Sequence, residues 1–207
     1  MTDCWICGNI ANSKEHKFKA SDIKRVLGKK FDAYFVHENA TQIKSYKDRL
    51  LKFPEIICEE CNVTRTREHD DAYDIFINYC ISNYETLLAQ GEINFETIFG
   101  QIWIENKRNL YRYFAKHAGC KIMTCETVKK YPQNLIELSK FILGASESPN
   151  FVLKFELKQV IKFITDTKKK IENQEYGHLF NMPIFPFGYT NNLNFGGWLA
   201  IKSLDYY

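Results

Sequence analysis

Cys4-Trp5-Ile6-Cys7 and, far downstream, Cys58-Glu59-Glu60-Cys61-Asn62 are the two stretches that decide the fold. A two-residue spacer lets both sulfurs of a pair turn toward one tetrahedral ion, and two such pairs complete a four-thiolate zinc site. The spacing therefore predicts a structural zinc held by Cys4, Cys7, Cys58 and Cys61. The loop between the pairs spans residues 8–57, longer than a simple zinc ribbon needs, so a structural unit must lie inside it. A redox dithiol would need only one pair, beside a βαβ pattern that is absent. Cys80, Cys120 and Cys125 stand apart and read as small buried hydrophobes.

Working outward from the pairs, Ser13-Lys14-Glu15-His16-Lys17-Phe18-Lys19 follows the first and Asn62 abuts the second. Glu15 and Asn62 offer hard oxygen ligands of the kind that suit Mg²⁺ or Mn²⁺. In an extended segment His16 points away from Glu15, and an imidazole is a fitting acceptor for a proton from water. The blander readings are a solvated Glu-His pair and an Asn62 that caps a helix. His69 reads as a surface histidine, with the chain expected to break near Thr66-Arg67.

The order CxxC…EH…CxxCN resembles the zinc-stapled HNH endonucleases, built on a ββα-metal finger, over roughly residues 1–80. The resemblance implies Glu15 and Asn62 as ligands of a catalytic Mg²⁺ or Mn²⁺ and His16 as general base. It also implies cleavage of DNA to 5′-phosphate and 3′-hydroxyl ends, and a place in bacterial or phage defence. The phrases Glu15–Asp22, Cys61–Thr66 and Asp70–Phe76 are similar to a subset of these proteins. One position departs from the pattern. The family's middle Asn falls on Phe53 here, and residues 40–61 contain no Asn. Another group, such as Gln42 or a backbone carbonyl, must then hold the His16 segment, unless the nuclease is weakened.

Net charge is +3, yet the distribution is uneven. Residues 1–52 carry 11 basic and 6 acidic side chains, and residues 53–84 carry 2 and 7. Lys14, Lys17 and Lys19 beside the site, with Arg65 and Arg67 after the second pair, are candidate contacts to nucleic-acid phosphates. Each of these cations reads equally as a solvated surface charge. The composition (45% hydrophobic, 26% charged) excludes wholesale disorder, a fibre and a small disulfide scaffold. No run of about 18 apolar residues suggests a membrane span, and no secretory leader precedes the first cysteine pair. A cytoplasmic location and no membrane partner are the expectations.

The fold class expected is α+β: an N-terminal ββα-metal zinc finger over residues 1–91, then a mainly helical region over 92–207 ending in a β-hairpin or small sheet. Helices are expected over 21–28 (Ser cap, Gly28 stop), from about Cys58–Cys61, over 70–89 closed by Gly91, over 95–118 ended by Gly119, over 132–143 and over 153–174. Residues 31–52 should hold a strand and a loop. Lys116-His117 reads as a cationic pair near a helix C-terminus. The C-terminal region carries no second catalytic constellation and is a candidate surface for a protein partner or activator. DNA is the expected substrate, with RNA using the same site as a variant. The rival reading, from a different class, is a non-catalytic zinc module that binds nucleic acid or protein.

Overall fold

In a computed structural model, the described residues are 2–35, 41–124, 133–146, 151, 153, 155 and four short C-terminal strands. The expected helix over 153–174 (apart from residues 153 and 155), the loop at 146–150 beyond Ser146, the turn at Asn191-Asn192, Pro132 and Cys125 lie outside them. Helix α1 (Ala20–Leu27) starts one residue before the expected bounds. Lys19, not Ser21, occupies its N-cap, and the Ser21 hydroxyl donates instead to Asp74. Gly28, at φ 81°, ends it as expected, since a side chain there would be strained. Strands β1 (Lys30–Phe35) and β2 (Thr41–Ser45) then pair antiparallel, with Ala33 opposite Ile43. Two strands, rather than one strand and a loop, fill this stretch.

A short 3-10 turn, Arg49–Leu51, is capped by Asp48, whose side chain accepts the Leu50 N–H at 2.9 Å. The chain next runs back along its own N-terminal segment. Ser13 bridges Ile57 and His16 bridges Lys52, both antiparallel. This return lays the second cysteine pair against the first. The helix expected at the second pair is a π-helical turn, Glu60–Thr64, in which the Arg65 N–H donates to the Glu60 carbonyl. The expected break near Thr66-Arg67 is present, and α2 (Arg67–Ser82) begins immediately after it.

The single helix expected over 70–89 is two helices, α2 and α3 (Tyr84–Gln90), divided at Asn83. The Asn83 side chain donates to the Tyr79 carbonyl, a bond that competes with helix continuation. Gly91, left-handed at φ 70°, closes α3 as expected. The helix expected over 95–118 is also divided. Asn94 caps α4 (Phe95–Phe99) by accepting the Thr97 N–H, Gly100 (φ 66°) breaks it, and α5 (Trp103–Met123) follows a 3-10 turn. Helix α5 runs straight through Gly119, the expected stop. Helix α6 (Gln133–Ile142) is followed by Gly144, in agreement with the sequence. The C-terminal strands form two antiparallel pairs: β3 (His178–Asn181) with β6 (Leu199–Lys202), and β4 (Phe185–Phe187) with β5 (Asn194–Gly196). The coarse α+β expectation therefore holds.

Helix α5 is the organising element. One face packs on α2, where Tyr73 stacks on Tyr113 with ring centroids 4.0 Å apart. Another packs on the cysteine pairs and α6, in a core containing Cys4, Ile57, Cys61, Ala115, Ile122, Leu138 and Phe141. Gly119 is required here by space rather than by φ: a Cβ would overlap the indole of Trp5, inside the first CxxC. Adding bulk to a filled core costs about 1–3 kcal/mol. Gly119→Val should therefore lower the chemical denaturation midpoint. In a Trp5→Ala background most of that loss should vanish, and a double-mutant cycle in urea checks the coupling.

Candidate functional site

The four expected cysteines converge. One sulfur from each of Cys4, Cys7, Cys58 and Cys61 falls within 4.8 Å of every other, forming a cluster that could hold a metal ion. Cys7 and Cys58 Sγ are 3.6 Å apart. A tetrahedral ion with Zn–S bonds of about 2.3 Å separates its ligands by roughly 3.8 Å, so the donor set and spacing suit structural zinc. The backbone builds each half. The Gly8 N–H donates to the Cys4 carbonyl with Gly8 at φ 80°, and the Asn62 N–H donates to the Cys58 carbonyl. The Asn12 side chain fixes the second half by accepting the Glu59 N–H at 2.8 Å. Burial pushes the Cys58 and Cys61 thiols up, whereas the Asn9 backbone and the neighbouring cysteines bring Cys7 down despite its own burial. Cys120 is fully buried, its thiol pushed up to about 12, and Cys80 is half-buried. Both fit the reading as small hydrophobes.

Against this cluster sits a buried polar group that joins three distant segments. Glu15, on the N-terminal segment, is largely buried, and its backbone carbonyl accepts the Phe53 N–H at 2.8 Å. Its Oε2 lies 3.8 Å from Lys116 Nζ and its Oε1 lies 3.7 Å from His117 Nε2, both on α5. Lys116 is fully buried and donates to Thr66 Oγ1 (3.1 Å) and to Asp70 Oδ2 (3.2 Å). Asn62 donates to Ser13 Oγ at 3.0 Å, and its side-chain amide also reaches the Glu15 carboxylate. Glu15 and Asn62 are thus brought together, as the sequence led us to expect.

The electrostatics follow from burial. Desolvation holds the Glu15 carboxyl above its usual range, and Lys116 offsets this only in part. The Lys116 ammonium keeps its proton because Glu15 and Asp70 together outweigh its own burial. Burial, helped by Lys116, pushes the His117 imidazole well below its ordinary value, so the ring is neutral. Lys116-His117 is therefore no exposed pair at a helix end. It sits inside α5, two turns from its C-terminus, on the stripe that carries Leu110, Tyr113 and Cys120. That placement was the available signal: two polar residues on the apolar stripe of an amphipathic helix.

His16 lies beside this group but turns the other way. Its Nε2 is 3.3 Å from the Tyr46 carbonyl, and its backbone bridges Lys52. Burial, with Lys52 and Lys24 nearby, holds the imidazole below its ordinary value. The Tyr46 carbonyl is thus the group that bonds the His16 ring. Phe53, at the position of that Asn, sets its ring edge-on to His117 at 6.2 Å. His69 is buried rather than on the surface, and burial with Arg112 and Lys116 nearby pushes it down to about 4.

The expected phosphate contacts fall in different settings. Lys19 is held inward: its Nζ is 2.9 Å from Asp74, donates to the Asp70 carbonyl and lies over the Tyr73 ring. Lys14 pairs with Glu55 and Arg65 with Glu60, both in the open. Arg67 is exposed at the start of α2, and the Lys17 N–H donates to the Leu51 carbonyl. Among the described residues no helix is long and apolar enough to cross a membrane.

No family profile, curated protein or solved structure matches this chain.

Two outcomes follow from the geometry. Cys58→Ser should abolish zinc uptake by the cluster and lower the melting temperature, as should a strong chelator on the wild type; metal analysis by mass spectrometry and a thermal melt check both. Lys116→Met should cost about 3–5 kcal/mol by leaving buried carboxylates without their cation. Asp70→Asn, at a partly exposed partner, should cost less, and urea unfolding ranks the two.

Proposed function

We propose that this protein is a metal-dependent endonuclease of the HNH type that hydrolyses DNA phosphodiester bonds. The observation that carries the reading is the meeting of Glu15 and Asn62 beside the four-cysteine cluster, with His16 next in sequence on a partly open edge. Zinc at the four sulfurs serves as scaffold. Glu15 and Asn62 would hold one divalent cation, which when bound neutralises charge on the scissile phosphate and the departing 3′-oxygen. The donor set fits such an ion: Asn62 Oδ1 is buried without a hydrogen-bond partner, and the Glu15 carboxylate shares its one close ammonium with Asp70.

His16 is the base. Its Nε2 donates to the Tyr46 carbonyl, which fixes the tautomer and leaves Nδ1 as the proton acceptor. The depressed basicity of the ring keeps it neutral and ready to take a proton from water near neutral pH. The bridge to Lys52 holds the segment in place without the family's middle Asn. Lys14, Lys17, Arg65 and Arg67 are the candidate phosphate contacts, with Lys19 in a positioning role through Asp70 and Asp74.

A second reading, a non-catalytic zinc-held binding module, is favoured by one feature. The Lys116 ammonium already lies on Glu15 and Asp70, where it can serve as a permanent internal cation. Supercoiled plasmid incubated with Mg²⁺ or Mn²⁺ separates the two. The nuclease reading expects nicked or linear product and a loss of about 10²–10⁴-fold in rate for His16→Ala. Equal cleavage by wild type and variant removes His16 from the mechanism. Binding without cleavage under every cation, at full zinc content, selects the module, and labelled RNA in the same assay defines the substrate.

A further inference from the structure

Resting on the cation assigned above to Glu15 and Asn62, we infer that His117 of α5 is its third side-chain ligand, so that the site takes Mn²⁺ in preference to Mg²⁺. His117 is almost wholly buried, yet neither ring nitrogen has a hydrogen-bond partner. An imidazole sealed from water with both nitrogens unsatisfied is costly, and such a group calls for an explanation. Its Nε2 stands 3.7 Å from Glu15 Oε1, too far for a hydrogen bond. That separation suits two ligands of one ion, since bonds of about 2.0–2.2 Å on each side span up to roughly 4 Å.

A second unsatisfied group belongs to Asn62, whose amide nitrogen donates to Ser13, two residues before Glu15. Asn62 Oδ1 is buried and without a partner, while the Asn62 N–H, as a donor, lowers the Glu15 carboxyl. The carboxylate is divided between its neighbours: Oε2 faces Lys116 and Oε1 faces His117. Lys116 therefore occupies one side of Glu15 and leaves the other to an ion. One carboxylate, one amide oxygen and one neutral imidazole make a mixed oxygen–nitrogen set. Imidazole is a good ligand for first-row transition ions, whereas Mg²⁺ favours oxygen and retains water. Helix α5 is fixed at this point by Tyr113 on Tyr73 and by Gly119 against Trp5, so the ring is held rather than free to swing away.

The test uses the full chain with its cysteine cluster saturated with zinc, titrated with Mn²⁺ and followed by electron paramagnetic resonance. The expected result is one Glu15-dependent site whose pulsed spectrum shows nitrogen coupling. That coupling should survive in His16→Ala/His69→Ala and vanish in His117→Gln, with Mn²⁺ affinity falling at least tenfold in the latter. A hundredfold excess of Mg²⁺ should displace little of the Mn²⁺. Zinc content and a melting curve check each variant's fold. Should His117→Gln not fold, the nitrogen coupling of the His16→Ala/His69→Ala protein decides the matter, and its absence overturns the inference. A Glu15-dependent site with no nitrogen coupling, or with affinity unchanged in His117→Gln, overturns the role of His117 and leaves the Glu15–Asn62 cation standing. Mn²⁺ binding that is absent, or indifferent to Glu15→Gln, overturns the cation itself and the inference with it.

Discussion

The convergence of four sulfurs across a loop of fifty residues is the constraint on which the rest of the structure depends. The segment that carries Glu15 has little regular structure of its own. It is held by two isolated bridges to residues 52 and 57 and by the knuckle that precedes it. A two-stranded hairpin is marginal alone, and a small finger buries too little apolar surface to stand unaided. An ion in the cluster closes the loop and fixes which residues of the return strand face the N-terminal segment. Asn62 then lies beside Glu15 because it is the next residue after the last sulfur.

A second constraint comes from outside that finger. Helix α5 covers the cysteine cluster with Ala115 and Ile122 and delivers Lys116 and His117 to Glu15. A buried lysine is costly unless it is paired, and here Thr66, Asp70 and Glu15 surround it. The same pairing logic operates on the surface. The basic N-terminal stretch and the acidic stretch after it meet in space through Lys14 with Glu55 and Lys19 with Asp74. Part of the charge asymmetry visible in the sequence is therefore neutralised within the chain. What is left for a polyanion is smaller than the raw counts imply.

The sequence was most legible where chemistry fixes spacing. Two CxxC pairs have metal-ligand spacing, and their convergence, the Gly28 and Gly91 stops and the break near Thr66 all follow from local rules. Legibility failed where tertiary packing overrides local preference. Gly119 reads as a helix stop, but its hydrogen is needed beneath the Trp5 ring, and the helix continues. Ser21 reads as a cap, but its hydroxyl is claimed by Asp74 from α2. Lys116, His117 and His69 read as solvent-facing because cations and histidines usually are, and only the approach of α2, α5 and the Glu15 segment shows otherwise. The division of α4 from α5 at Gly100 was written in one glycine that apolar periodicity outvoted.

The cysteine cluster and the polar group around Glu15 differ in ligand type. The sulfur cluster, soft and mostly buried, offers four ligands, the full complement of a tetrahedral structural ion. The group around Glu15 is oxygen-rich, only partly satisfied and adjacent to the partly open edge where His16 sits. Incomplete satisfaction is costly to stability, and a fold that retains it through three separate segments has reason to do so. Hydrogen bonds are missing on Asn62 Oδ1 and on both His117 nitrogens, as they are on Trp5, His69 and Tyr113. The charged neighbour, Lys116, is fully bonded. Around Glu15 the ammonium of Lys116 faces one carboxylate oxygen and the neutral His117 ring faces the other, so the two α5 neighbours divide the carboxylate between them.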